Sequence, residues 1–214
     1  ALSYAQELGI KLPLVTYNGA LVKDPSTGKT LAHWPLALET AKCIVGELLD
    51  QDIYVQAYVN DTLLVPADCA KAQYYAKFSR VPFEVAGAGL RQLAEAPHKL
   101  LVIDDDPEPI RRHLVTVYGN AIKIVSSSKG FLEITDPETN KWRALQFLMK
   151  RFEVTREEIL TVGDSDNDYE MVAHAGVGVA MGNASPQLKE VADEICKDVA
   201  EDGIYDYCLT HGLI

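Results

Sequence analysis

The sequence predicts an α/β protein: a parallel-sheet core with a second, α+β unit inserted into it. Two observations carry that expectation. From Thr139 onward apolar strands and amphipathic helices alternate, as in a parallel sheet whose strands need helical crossovers. Between about residues 30 and 129, helices mix with strands joined by short turns, which describes a compact α+β unit.

Taken in order, "ALSYAQELGI" reads as the tail of a helix (Leu2, Ala5, Leu8) stopped by Gly9, and a strand follows from Leu14 to Tyr17. No Met precedes Ala1, so the chain is expected to begin in mid-fold. "KDPSTGKT" is turn chemistry between two apolar runs, either a hairpin or a domain edge. From about Leu38, residues Ala41, Ile44, Val45 and Leu48 recur on one helical face. "IYVQAYVNDTLLV" alternates through Ile53, Val55, Ala57 and Val59 and turns at Asn60-Asp61, a hairpin. "DCAKAQYYAKFS" reads as a helix, "HKLLVID" as a strand, "DPEPIRRHLVTVY" as a helix with its prolines near the start, and "AIKIVSSSKGFLEIT" as two strands. The last segment runs helix ("NKWRALQFLMKRF"), strand ("EILTV"), helix ("DYEMVAHAG"), strand ("VGVAM"), helix ("SPQLKEVADEI"). In the first of these helices Leu145, Leu148, Met149 and Phe152 are expected to face the core.

Composition narrows the function. With 31 acidic against 20 basic residues in 214, the net charge of -11 argues against nucleic acid or anionic membrane as a partner, since both need clustered cations. A small ligand or a metal ion suits it better. Cys43, Cys69, Cys196 and Cys208 form no CxxC pair, which reads as reduced thiols in a cytoplasmic protein. No apolar run reaches the roughly 18 to 20 residues of a membrane span, and the N-terminus lacks the blocks of a signal peptide.

The chemistry concentrates in "LTVGDSDNDYEM". A strand ends at Val162, Gly163 turns the backbone, and Asp164, Asp166 and Asp168 follow at the carboxyl edge where open α/β sheets bind ligands. Asp residues also cap helix starts, so carboxylates alone do not make a site. A calcium loop of EF-hand type fails, because Tyr169 stands where it needs Gly and Ala175 where it needs a bidentate Glu. Magnesium fits better, since it takes few carboxylates and shares its shell with waters and a substrate phosphate. Lys141 sits in the first turn of its helix, where the macrodipole disfavours a cation, unless it serves to neutralise a bound phosphate. "MGNASPQ" ends a strand in small residues and starts a helix with Ser185 as cap and Pro186 in the first turn.

Together, "VTYNGALV", "FLEITDPETNKWRAL", "ILTVGDSDNDYEMVAHAGVGVAMGNAS" and "VADEICKDVAEDGI" resemble the Cof-type phosphatases of the haloacid dehalogenase-like superfamily. The resemblance spans essentially the whole chain and implies a Rossmann-like core, residues 1–29 and 130–214, with residues 30–129 as a cap that selects the substrate. It implies Mg²⁺-dependent hydrolysis of small phosphomonoesters, such as sugar phosphates, through an aspartyl-phosphate. Asp164 would ligate the metal and Asp168 support it; Lys141 and Asn167 would serve catalysis; Asn18 and Gly19 of the "NGA" turn, with Asn183, would lie near substrate or phosphate. Asp166 falls at a variable position, and Trp142 stands where the family has Gly.

The family's mechanism also needs an N-terminal "DxDGT" strand end, which supplies the nucleophile, and a Thr or Ser motif after it; neither precedes "ALSYAQELGI". Asp104 and Asp106 in "LLVIDDDPEPI" imitate the first but lack the Gly-Thr and belong to a helix start. The expected missing part is roughly 40 to 50 residues, somewhat more than one βαβ unit. Either those residues lie upstream, or another chain or strand complements the sheet, and the chain as given is expected to be nearly inactive. Two other readings stay open: a non-catalytic binding protein, and phosphoryl transfer of the phosphomutase type. For substrate contacts in the cap, Tyr54, Tyr58, Arg91 and His98 are candidates that periodicity does not separate.

Overall fold

In the computed structural model the described residues are 1–126 and 128–214; Ser127, within the stretch read as two strands, lies outside them. Contacts divide the chain into two units, Ala1–Thr139 and Asn140–Ile214.

The first unit opens with α1 (Leu2–Glu7) and an antiparallel sheet in the order β1 (Leu14–Thr16), β2 (Leu21–Lys23), β3 (Thr30–His33). "KDPSTGKT" is therefore the turn of a hairpin, closed by the Asp24 carboxylate accepting the Ser26 amide at 2.8 Å. After α2 (Leu38–Asp50) come β4 (Val55–Val59), β5 (Thr62–Val65), α3 (Ala70–Ser79), β6 (Phe83–Val85), β7 (Lys99–Ile103), α4 (Glu108–Tyr118), β8 (Lys123–Val125) and β9 (Phe131–Thr135). These strands form one six-stranded sheet in the order β6-β5-β4-β7-β9-β8, antiparallel except where β5 meets β6.

The expected hairpin is β4 and β5, with Asn60 and Asp61 at φ 49° and 62°, the left-handed pair that a two-residue turn of type I′ demands. Ala41, Ile44, Val45 and Leu48 of α2 are all buried, as their spacing predicts, against Val55, Ala57, Leu100 and Val102 on one face of the sheet. Each Ile, Val or Leu among them contributes roughly 1.5–3 kcal/mol on burial. Because side chains alternate across a strand, the opposite face carries Tyr58, Leu101 and Phe131 together with the buried polar groups Gln56, Lys99 and Glu133.

The expected division at residues 29 and 129 is not where the contacts divide the chain. Residues 1–29 group with the first unit because β1 pairs with β2 rather than with a strand of the second unit, and β9 groups there because it pairs with β7 and β8.

The second unit holds α5 (Lys141–Phe152), β10 (Leu160–Gly163), α6 (Tyr169–His174), β11 (Val177–Ala180), α7 (Pro186–Val191), β12 (Glu194–Ile195) and α8 (Gly203–Thr210). Its sheet is parallel throughout, in the order β10-β11-β12. Gly178 sets how closely α6 covers it: a Cβ there would fall 2.0 Å from the Val172 carbonyl oxygen.

Two expectations need correction here. "SPQLKEVADEI" is not one helix. It ends at Val191, and Glu194–Ile195 pairs with Val179 and Ala180, so strand pairing overrides a sequence that continues in helical rhythm. The face of α5 formed by Leu145, Leu148, Met149 and Phe152 is not core either: Ala144 is the buried residue of the helix and Phe152 is 46% exposed. Within this unit α5 packs against α6, which covers only part of that face. Among the described residues no helix is long and apolar enough to cross a membrane.

Candidate active site

Two helix starts and two strand ends converge in the second unit. Asn140 caps α5, its Oδ1 accepting the Arg143 amide at 2.7 Å, and so places Lys141 at the first helical position. The Lys141 ammonium then donates to Asp168 Oδ1 at 2.5 Å. The other oxygen of Asp168 accepts the backbone amides of Asp164 at 3.1 Å and Ser165 at 3.2 Å. Asp168 is 3% exposed, and these three donors are what make a buried carboxylate tolerable there.

Gly163 is what lets this fold form. Its backbone is extended rather than left-handed, and the constraint is space: a Cβ would sit 2.5 Å from the Asp168 Cβ. The sequence reading gave Gly163 a turning role, whereas its observed role is close approach.

Asp164 is exposed and lines an open cavity together with Lys141, Asp168 and Asn183. One of its oxygens accepts the Ser165 hydroxyl at 2.9 Å. The cavity's floor is held by β10 and β11, the Met181 amide donating to the Gly163 carbonyl at 2.8 Å, and by the Ser185 amide donating to the Asp164 carbonyl at 3.3 Å. Asn183 Oδ1 accepts the Val199 amide at 3.2 Å, tying the segment before α8 to this rim. Trp142 of α5 meets His174 of α6 at a tilt, with ring centroids 5.8 Å apart.

Of the residues singled out by sequence, the structure thus gathers Lys141, Asp164, Asp168 and Asn183. Asn167 stands half-buried in the single turn Asp166–Asp168 and is not among the residues lining the cavity, and Asp166 is exposed. Asn18 and Gly19 belong to the first unit, where the Asn18 amide donates to Glu133 Oε2 at 2.7 Å and Glu133 pairs with Lys99 at 2.9 Å. Tyr54 and Tyr58 share the buried polar sheet face with Gln56, His98 meets His33, and Arg91 is tied to Asp50 and the Gly46 carbonyl on α2. Sequence reasoning missed Ser165, although Ser165-x-x-Asp168 is the capping-box spacing, and it missed the Lys99–Glu133 pair, which has no local signal.

Among the described residues no three His, Cys, Asp or Glu side chains gather as a complete metal shell. The donors that do face the cavity are carboxylate oxygens, which suit a hard dication holding most of its shell as water and phosphate. Asp164 has the exposure for direct ligation, whereas both oxygens of Asp168 are already engaged.

A family model described as haloacid dehalogenase-like hydrolase matches residues 1–208. The chain is 30% identical over 214 residues to the 5-amino-6-(5-phospho-D-ribitylamino)uracil phosphatase YitU of Bacillus subtilis (strain 168), covering 94% of this chain and 76% of that one. A crystal structure from Thermotoga maritima superposes with a TM-score of 0.83 at 31% identity, covering 95% of this chain and 77% of that one. A haloacid dehalogenase-like hydrolase from Bacteroides thetaiotaomicron shares the fold, with a TM-score of 0.87 at 24% identity over 96% of this chain and 80% of its own.

Proposed function

The chain belongs to the haloacid dehalogenase-like hydrolase family, and from that we propose that it acts as a Cof-type phosphatase on a small phosphorylated metabolite. The observation that carries the reading is the Lys141–Asp168 pair at the rim of a cavity that also exposes Asp164, at the carboxyl edge of a parallel sheet. The named activity of the relative from Bacillus subtilis, a phosphatase of a sugar-alcohol phosphate joined to a pyrimidine, supports this substrate class.

Lys141, oriented by Asp168, offers a fixed cation to the phosphoryl oxygens and stabilises charge that develops on them. Asp168 holds the ammonium in place and orders the loop by accepting its amides. Asp164, supported by Asp168, is the residue for Mg²⁺, which when bound supplies Lewis-acid stabilisation of the phosphate. Asn183 shapes the phosphate end of the cavity, and Asn167 is assigned to catalysis, near the phosphate or the nucleophile. We assign Asn18 and Gly19 to substrate binding, and residues 30–129 to substrate selection.

An aspartyl-phosphate route needs an attacking carboxylate that none of these residues provides. We propose that it comes from outside the 214 residues, either from an upstream segment or by strand complementation at the edge of β10, which among the described residues has one pairing neighbour in its sheet. The four thiols, none in a disulfide, fit a cytoplasmic setting.

The test is hydrolysis of an aryl phosphate with Mg²⁺, measured on these residues alone and joined to an upstream segment ending in two alternating Asp residues. Turnover only in the joined protein supports the proposal. Equal turnover removes the external nucleophile, and none in either favours a non-catalytic binding protein. With an acceptor sugar added to the assay, transfer of the phosphoryl group to that sugar instead of to water would mark phosphoryl transfer of the phosphomutase type.

A further inference from the structure

We propose that His33 and His98 form a proton-operated latch that holds the β1–β3 sheet to the six-stranded sheet of the first unit, closed when both rings are neutral and released by one added proton.

The hydrogen bonds fix the protonation state. The Asp61 amide donates to His98 Nε2 at 3.2 Å, so that nitrogen carries a lone pair and the neutral ring has its proton on Nδ1. His98 Nδ1 lies 2.7 Å from His33 Nε2, which must therefore accept, leaving the His33 proton on its own Nδ1. A further proton finds no free place. On His98 Nε2 it opposes the Asp61 N–H; on His33 Nε2 it opposes the His98 N–H, and moving that proton to Nε2 again opposes Asp61. Every route breaks a hydrogen bond at a residue only 3% exposed.

The groups facing the pair come from each element packed on it. His33 ends β3, His98 precedes β7, Asp61 sits in the β4–β5 turn, Tyr17 follows β1 and Lys23 ends β2. Tyr17 stacks on His98, with centroids 4.6 Å apart, and packs on Tyr58 at 5.2 Å. The Tyr17 hydroxyl donates to Asp61 at 3.0 Å, and Lys23 forms an ion pair with the same carboxylate; Asp61 favours an imidazolium on either ring, but Lys23 opposes one on His98 and burial outweighs Asp61 at both. Lys99, over the Tyr58 ring, and Glu95, bonded to Asn60, complete the charged surroundings.

Burial, then His33 beside it, pushes His98 down to about 4, and burial lowers His33 as well. The sign follows from linkage. A histidine whose folded value is depressed binds its proton more readily once released, so falling pH from about 6.5 toward 4 favours release.

Strain gives the release a direction. Tyr17, Asn18 and Gly19 have φ of 52°, 58° and 103°, and a left-handed tyrosine is costly unless its side chain is held. Opening the latch frees Tyr17 from His98 and lets the turn relax.

Hydrogen exchange of the 214-residue chain at pH 7 and pH 5, normalised for intrinsic rates, reads the latch directly. The expected result is an opening constant on the order of tenfold larger at pH 5 for amides of residues 17–23 and 30–34, with those of β7 and β9 unchanged. In His98→Gln, whose side-chain oxygen can still accept from Asp61, that extra opening should vanish. Nitrogen-15 shifts of the two rings provide a measurement that needs no variant. Neutral rings at pH 6, both protonated at Nδ1, support the latch; an imidazolium in either ring at that pH, or protonation without faster exchange in the hairpin, overturns it.

Discussion

Each unit contains a buried carboxylate paired with a lysine, and the two pairs differ in what surrounds the lysine. In the first, the Lys99 side chain is 10% exposed and Glu133 7%, and the Asn18 amide completes the carboxylate. In the second, Asp168 is 4% exposed but Lys141 is 31% exposed, at a cavity rim, with two backbone amides sharing the carboxylate. The same chemistry is sealed in one place and open in the other. A sealed pair can only hold structure, whereas an open one can exchange part of its interaction for a ligand's charge without burying a new one.

The largest test of this contrast is Glu133→Gln. It leaves Lys99 charged and unpaired within the sheet and should cost about 3–5 kcal/mol in denaturant unfolding, with Lys99→Met plus Glu133→Leu recovering more than half. A loss below about 1 kcal/mol would mean that the pair is not sealed.

Gly163→Ala comes next. Its new methyl would meet Asp168 at 2.5 Å and should cost about 1–3 kcal/mol while loosening the loop that Asp168 orders. Unfolding midpoints and slopes would report the first effect, and amide exchange at Asp164 and Ser165 the second.

Lys141→Met should cost less, about 1–2 kcal/mol, because the two amides still serve Asp168. Its larger effect should be on inorganic phosphate or vanadate, whose affinity should fall at least about tenfold by calorimetry. If instead stability falls as far as with Glu133→Gln and affinity is unchanged, the two pairs are alike and the contrast fails.

Asp166→Asn should do least. The residue is exposed, and a change within about 0.5 kcal/mol is expected, with phosphate affinity unaltered.

Much of this was legible from residue patterns. The α2 face and the Asn60-Asp61 hairpin follow from periodicity and turn chemistry, because burial and left-handed φ are local demands. The Asp104 and Asp106 decoy resolved the same way, since the Asp104 carboxylate accepts the Asp106 amide at 3.1 Å and belongs to a turn. Where local rhythm and long-range pairing compete, the sequence misleads. Glu194 and Ile195 continue a helical pattern yet are claimed by β11, and the apolar face of α5 marks a preference for burial that its neighbours in the unit only partly meet.

What the sequence by itself determined is the alternation of elements, the acidic loop at a strand's carboxyl edge and a lysine in the first turn of a helix, because each is written in contiguous residues and local physics reads contiguous residues. Only the tertiary structure decided that Asp168 spends its oxygens on amides and Lys141, that Gly163 is needed for space rather than for turning, and that Lys99 meets Glu133 and His33 meets His98. Those pairs lie 34 and 65 residues apart; the pairing of β7 with β9 brings the first together and the approach of β3 to the residue before β7 the second, which no local preference encodes.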